Sequence, residues 1–200
     1  MISPRALQSV LNFLRLSVLL CAAAACLPMM GQAQTNTPAT NAPAGETTKD
    51  ESPKEIKDVE LGLTVGIPKG WLIQPFPHSR FPMAFGPQVD GVTPNINLET
   101  EIFDGDLGKY VTGNEAVLIK EIKELKVLNR DDFETTSGLK GIKLSTESKM
   151  DKLALRQNFY FFQSSPKNFI VLTATSPASA ISKMEPLFDE AIKTLVVSKK

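Results

Sequence analysis

The most informative hydrophobic pattern lies between residues 153 and 176, where two successive segments carry apolar side chains at both odd and even positions. Residues 159–162, FYFF, are the clearest part, and a short connection at 164–167 leads into a second segment of the same kind. Because strand side chains alternate between the two faces of a sheet, both faces of this hairpin are apolar. We therefore predict that the hairpin lies in the middle of a sheet, with other layers packed on each side.

Before this hairpin, apolar and polar residues alternate less regularly along the chain. Apolar residues at every second position from 59 to 67 predict a half-buried strand, which ends in the turn at 68–70. Trp71 follows the turn, and we expect it to close one end of the core. Five prolines between 74 and 94 predict an irregular loop in which neither a helix nor a central strand persists. Residues 95–103 alternate again and predict a strand. Its outward-facing residues are expected to be Asn97, Glu99 and Glu101.

Two amphipathic helices are predicted, one on each side of the hairpin in the chain. The first has Asp106 as N-cap, an apolar stripe at helical spacing, and an end near Lys126. The second follows the start signal at 176–177, and Pro186 predicts either a kink or a later beginning. Its last residues, 195–197, predict a short final strand.

The order of elements predicts the fold class. Weaker strands are expected at 127–135 and 139–148, between the first helix and the hairpin. Strands that are joined by short turns pair antiparallel. We therefore predict an α+β fold, an α/β/α sandwich with a central, mainly antiparallel sheet and two principal helices.

Three segments resemble a known family. GLTVGIPKGW (62–71), LGKYVTGNEAVLIKEI (107–122) and IKTLVV (192–197) are similar to elements of the PsbP-like fold. That fold occurs in the extrinsic PsbP proteins of photosystem II, in the Ran-binding protein Mog and in secreted bacterial relatives of unknown function. The resemblance spans residues 56–198. It implies an interaction module that is not an enzyme.

The N-terminal region has the pattern of a targeting segment. Residues 1–33 combine Arg5 and Arg15 with a short apolar run and small residues before position 34, which predicts an exported protein cleaved after Ala33. The alternative is lipid attachment at Cys26. Residues 34–55 contain no large apolar residue and are predicted to be a disordered linker. Residues 56–200 are predicted to form a single domain in the periplasm or outside the cell.

Composition excludes several classes of site. Both cysteines precede residue 34, so cleavage leaves no thiol for a disulfide, a nucleophile or a metal. Removing Arg5 and Arg15 lowers the 22 basic residues to 20 against 22 acidic residues, which disfavours nucleic acid as a partner. We expect no cofactor and no transmembrane span in the mature chain, and the oligomeric state stays open.

The candidate partner-binding residues lie in the proline-rich loop. His78 is the single histidine of the chain, and a zinc site needs three or four ligands. The aromatic side chains of the loop either fold back on the edge of the sheet or form an apolar patch for a partner. The candidate set is Phe76, His78, Arg80, Phe81 and Phe85.

Two classes of function follow from these observations. The first is an exported, non-enzymatic module that binds a protein or another component of the cell envelope. The alternative is a small-ligand-binding protein or a hydrolytic enzyme that uses the 74–94 loop and acidic residues near Asp104. No catalytic or metal-binding residue is predicted. Residues 156–158, Arg-Gln-Asn, are polar within an otherwise apolar strand, and they either line a cleft or lie beyond the covering helices.

Overall fold

The computed structural model describes residues 54–77, 79–150 and 152–198. The predicted signal peptide and the linker up to residue 53 lie outside the described residues, as does His78. Two helices are described, α1 (Leu107–Glu121) and α2 (Ile181–Lys193). The strands are β1 (Glu55–Asp58), β2 (Leu63–Gly66), β3 (Leu72–Gln74), β4 (Met83–Phe85), β5 (Asn95–Ile102), β6 (Lys126–Glu134), β7 (Lys140–Met150), β8 (Leu153–Ser165), β9 (Asn168–Pro177) and β10 (Val196–Val197).

Seven of these strands form one antiparallel sheet in the order β3-β4-β5-β9-β8-β7-β6. The hairpin β8–β9 is flanked on both sides, as its two apolar faces predicted. Helix α1 packs on one face over Phe159, Phe161 and Val171. Helix α2 packs on the other face, where Tyr160 and Phe162 are buried. The predicted α+β sandwich with two principal helices is therefore confirmed.

A second sheet of three strands, in the order β1-β2-β10, adds its apolar side chains to the core under α2. The single strand predicted over residues 59–67 is wrong, because the chain turns at 59–62 between β1 and β2. Val59 is consequently exposed, whereas Leu63 and Val65 are buried. The alternating pattern crossed the turn without interruption, so periodicity alone placed both halves in one strand. The short final strand is confirmed as β10, which pairs with β2.

The proline-rich segment contains a short strand that the sequence analysis excluded. Met83–Phe85 forms β4, which pairs with β3 on one side and with β5 on the other. Pro82 and Pro87 stand outside these three residues, so no ladder hydrogen bond is lost to a proline ring. Gly86 then allows close packing of Trp71, since a Cβ at this position would lie 2.6 Å from the indole ring. Trp71 is buried in the core, as predicted.

The helices differ from prediction mainly at their ends. Asp106 caps α1 as predicted, because its Oδ1 accepts a 2.8 Å hydrogen bond from the Lys109 amide. The helix ends at Glu121, earlier than the predicted Lys126. Residues 176–177 belong to β9 instead of capping α2, and α2 continues through Pro186. One proline removes a single backbone hydrogen bond, and burial of the apolar stripe of α2 against the sheet outweighs that loss.

Neither described helix is long and apolar enough to cross a membrane.

Candidate functional site

The predicted loop residues occupy different environments. Phe76 and Phe81 are buried, and Phe81 belongs to the core cluster on the α2 side of the sheet. Arg80 is exposed and bonds to the turn between β1 and β2, at 2.7 Å from Asp58 and 2.9 Å from Glu60. The Leu61 amide and the Arg80 guanidinium lower the pKa of the Asp58 carboxyl. These contacts hold the loop against the three-stranded sheet.

Phe85 is half-buried and lies on the opposite face of the sheet, the face that α1 partly covers. Its direct neighbours across the ladder are Leu72 on β3 and Asn95 on β5. Directly paired residues of antiparallel strands have their side chains on the same face. Leu72 is exposed, so this end of the face opens to solvent.

The line of directly paired residues that begins with Leu72 and Phe85 continues through four polar residues, one on each of the four central strands. Asn95 pairs with Thr175, Thr175 with Gln157, and Gln157 with Thr146. We call Asn95, Thr175, Gln157 and Thr146 the polar row. All four are buried, with at most 2% of each residue exposed. The same face under α1 is filled by Phe159, Phe161 and Val171. On the other side of the row, Leu155 packs with Val92 in a separate buried apolar cluster, so the row is a polar strip between two apolar clusters.

Several side-chain atoms on this face lack a hydrogen-bond partner within the part of the chain that the structure describes. They are both amide atoms of Gln157, the hydroxyl of Thr175 and Oε1 of Glu101. Thr146 is satisfied, since its hydroxyl donates to the carbonyl oxygen of Gln157 at 3.1 Å. Unpaired buried polar groups are rare in folded proteins because each costs about 1–3 kcal/mol. Three of them belong to the directly paired residues Gln157 and Thr175, so we take the row as the candidate site.

Two carboxylates lie on the same face of β5, further along the strand from the row. Glu99 Oε1 accepts a 3.1 Å hydrogen bond from the Ser79 hydroxyl, and Glu101 Oε2 accepts one of 2.7 Å from the Tyr110 hydroxyl. Burial raises the pKa of Glu101 to about 7, the Tyr110 hydrogen bond opposes that rise, and the nearby charge of Glu99 adds to it. Burial also raises the pKa of Glu99. Asn97, Glu99 and Glu101 were predicted to face solvent, which is wrong for Asn97 and Glu101, since these residues are buried.

The opposite face of β7 and β8 carries a different polar cluster. Lys143 is 2.8 Å from both Glu185 and Asp189 on α2, and the Tyr160 hydroxyl donates to Asp189 at 2.6 Å. Asn158 donates to Glu185 at 3.3 Å, although its carbonyl oxygen has no partner within the described residues. We call Lys143, Tyr160, Glu185 and Asp189 the charged network. Its charges pair with one another, so it attaches α2 to the sheet.

The remaining acidic candidates have simpler explanations. Asp104 is exposed and lies 3.6 Å from Lys167, and Asp106 is the N-cap of α1. Within the described ranges, no group of three or more His, Cys, Asp or Glu side chains could hold a metal ion.

Sequence reasoning noticed only part of the polar row. Residues 156–158 were expected either to line a cleft or to lie beyond the covering helices. The structure buries Gln157 beside Thr175, which was not singled out. The sequence of β9 contains a signal for it. On one face of this strand, the apolar residues Phe169 and Val171 are followed by the polar residues Thr173 and Thr175. The partners on β5 and β7 could be found only from the strand order and register.

No protein-family model matches the chain, and no curated protein matches it. Solved structures similar to it include the following three. PA94 of Pseudomonas aeruginosa, described as a putative regulator of unknown function, is 18% identical, with a TM-score of 0.53 over 74% of this chain and 99% of that one. LpqN of Mycobacterium tuberculosis, described as involved in cell envelope biogenesis, is 12% identical, with a TM-score of 0.54 over 76% and 88%.

The third structure is the cyanobacterial PsbP of Synechocystis. It is 13% identical, with a TM-score of 0.51 over 79% of this chain and 98% of that one. Identities this low carry the fold and nothing finer. The protein therefore has a PsbP-like fold, as the sequence resemblance implied.

Proposed function

We propose that this protein is an exported, non-enzymatic interaction module that binds a protein or another component of the cell envelope. The observation that carries the proposal is the buried pair Gln157 and Thr175, whose amide and hydroxyl have no partner within the described residues, on the same face as the exposed Leu72 and half-buried Phe85. A binding partner satisfies such groups without any chemistry. The description of LpqN as an envelope biogenesis protein supports a partner in the same compartment.

The predicted loop contributes to this module mainly as a support. Arg80 holds the loop to the β1–β2 turn, and Phe81 anchors it in the core. Phe85 is the predicted candidate that stands on the same face as the polar row. We therefore place the partner-binding surface at Leu72, Phe85 and the row, and assign Phe76 and Phe81 to packing.

Site-specific photo-cross-linking tests this assignment. A photoreactive amino acid replaces Leu72 in one variant and Ile119, on α1, in the control; the two positions are matched, at 55% and 53% exposed. In cells that export the protein, the Leu72 variant should form a discrete adduct with an envelope component, and the Ile119 variant should not. Equal labelling at both positions, or none at Leu72, would contradict the proposed surface.

A further inference from the structure

We propose that the free edge of strand β6 binds an extended basic segment of a partner protein, which adds a strand to the sheet. β6 (Lys126–Glu134) is the last strand of the seven-stranded sheet, at the opposite edge from β3 and Leu72. The proposal goes beyond the proposed function and does not depend on it, because the two surfaces share no residue. Three features carry it: the exposure of the edge, the backbone groups that it leaves unpaired, and the sign of its charge.

The edge is accessible to a partner. Residues 129–132 and 134 are exposed, and Phe133 is the buried member of this stretch. β6 pairs with β7 on one side, and no other strand of the described residues pairs with it. A register shift between Val127 and Asn129 makes Leu128 an extra residue, a bulge that interrupts regular pairing. The regular part of the free edge is therefore 129–134.

The register identifies the backbone groups that point away from the sheet. The Thr135 amide donates across the β6–β7 hairpin at 3.0 Å, so every second residue back along β6 bonds to β7. The residues between them, Arg130, Asp132 and Glu134, direct their backbone groups to the open edge. The Arg130 amide agrees with this, since it donates to the Asn129 side chain at 3.0 Å. The backbone groups of Asp132 and Glu134 have no partner within the described residues, and an added strand binds such groups.

The side chains along this edge are mostly acidic. Three of the five residues from 130 to 134 are acids, namely Asp131, Asp132 and Glu134. Asp131 accepts a 2.7 Å hydrogen bond from Asn129, but none of the three acids forms an ion pair within the described ranges. Lys140 lies opposite Glu134 on β7 without closing such a pair. The carboxylates are therefore available to cations of a partner.

Two other cations near the edge are engaged elsewhere. Arg130 lies 3.6 Å from Glu115 on α1, which draws its guanidinium away from the edge. Lys143, the neighbour of Asp131 on β7, belongs to the charged network and lies 2.8 Å from Asp189. Neither cation neutralises the acids of β6.

The charge of the edge selects the kind of strand that can be added. Residues 130–134 contain three acids and one arginine, a net charge of −2. A second copy of β6 would bring two segments of like charge together, which is a way in which edge strands avoid pairing with each other. A basic strand instead places opposite charges directly across the new ladder, where such pairs stabilise a sheet.

The alternation of β6 also specifies an order of residues in the partner. Asp131 and Phe133 face the α2 side of the sheet, and Asp132 and Glu134 face the α1 side. The best antiparallel partner has basic residues opposite the three acids and an apolar residue opposite Phe133. Thr-Lys-Val-Lys-Lys-Thr has this order when its first residue lies opposite Thr135.

The first test measures the fluorescence anisotropy of this peptide, labelled, with the protein as cells export it. We expect saturable binding that weakens as salt is added. Asp131→Asn combined with Asp132→Asn should weaken it by about tenfold, because two cross-strand charge pairs are lost. Asp104→Asn combined with Glu190→Gln is the matched control. It changes the net charge equally at exposed positions outside β6 and should bind as the native protein does.

A second test asks whether the backbone takes part. The bound peptide should slow hydrogen exchange at the amides of Asp132 and Glu134, which face solvent in the free protein. Asp132→Pro removes one outward amide but spares the bonds to β7, and it should abolish binding. A peptide of the same charge with proline in place of valine and both threonines should not bind, because it cannot form the ladder.

Several results would overturn the proposal. They are absent binding up to millimolar concentration, binding that the Asp131→Asn/Asp132→Asn protein retains in full, and equal binding of a peptide with glutamate in place of lysine. Binding without slower exchange at Asp132 and Glu134 would reduce the edge to an acidic surface. Self-association of the native protein that excludes the peptide would assign the edge to a second copy. Cross-linking at Leu72 reports on the other surface, so each proposal can fail alone.

Discussion

On the α2 side of β8, Tyr160 and Lys143 are bonded to carboxylates that α2 supplies, whereas on the α1 side Gln157 and Thr175 have unpaired side chains within the described residues. The two groups share one sheet but differ in burial, since the side chains of Glu185 and Asp189 are 35% and 30% exposed whereas Gln157 and Thr175 are almost completely buried. The charged network is closed on itself, and its function is to hold a helix. In the polar row, the side chains of Gln157 and Thr175 lack hydrogen-bond partners within the described residues, which is why we propose the row as part of a binding site.

This comparison also separates stability from recognition. Removing a group from the α2 side should mainly destabilise the fold, because each group there has a partner that is left unsatisfied or a cavity that is left behind. Removing a group from the polar row should mainly change binding. The following predictions test that separation, from the largest expected effect to the smallest.

Phe81→Ala is expected to have the largest effect on stability. Phe81 is 3% exposed and belongs to the core cluster under α2, so truncation should lower the free energy of unfolding by about 3–5 kcal/mol. Urea denaturation measures this loss. Phe85→Ala is the control from the same loop, and it should cost clearly less because Phe85 is only half-buried. If the Phe81→Ala protein kept native stability but no longer bound its partner, Phe81 would belong to the binding surface and not to the core.

Asp189→Asn should break the charged network without creating a cavity. Lys143 keeps Glu185, but it loses one of its two carboxylates, and Tyr160 loses a charged acceptor. Since the Asp189 side chain is 30% exposed, we expect a loss of about 2–3 kcal/mol, somewhat below that of a fully buried pair. The exposed Glu190→Gln, on the same helix, should change stability by less than about 0.5 kcal/mol. Equal effects of the two substitutions would show that the network does not stabilise the fold.

Glu101 should make stability depend on pH. Its pKa is raised from 4.5 to about 7 in the folded protein, so the folded state binds the proton more tightly than the unfolded state does. The contribution is fully present below pH about 4.5 and is lost as the pH rises to about 7, amounting to roughly 3 kcal/mol. Glu101→Gln keeps an acceptor for Tyr110 and should remove this dependence, as measured by denaturation across that pH range.

Tyr110→Phe tests the same carboxyl by raising its pKa further instead of removing it. The Tyr110 hydroxyl lowers the pKa of Glu101 by donating to it, so its removal should move the loss of stability to a higher pH. A transition that stays in place, or that moves to lower pH, would show that Glu101 is not the titrating group.

Gln157→Met should have the smallest effect on stability. It replaces an unpaired buried amide by an apolar side chain of similar length, so we expect a change of less than about 1 kcal/mol, in the stabilising direction. The same substitution is expected to weaken binding, which is the reverse of the pattern at Phe81. A loss of several kcal/mol in a urea melt would mean that Gln157 is a structural member of the core.

The central architecture could be predicted from the sequence, because it follows from local pattern. Residues 159–162 require cover on both faces, and Asp106 precedes an apolar stripe at helical spacing, so the position of the hairpin and the start of α1 needed no long-range information. Errors arose where a pattern continued through a turn, as at 59–62, or where two prolines left just enough residues between them for a strand, as in β4.

The candidate site was decided by the tertiary structure. Asn95, Thr146, Gln157 and Thr175 are separated along the chain, and each is an ordinary polar residue of a strand. Only the order β5-β9-β8-β7 and the register of its ladders bring them into one line. The same register buries Glu101 against Tyr110, although its alternation with apolar residues predicted a solvent face. Alternation along a strand separates its two faces, but what packs over each face depends on distant parts of the chain.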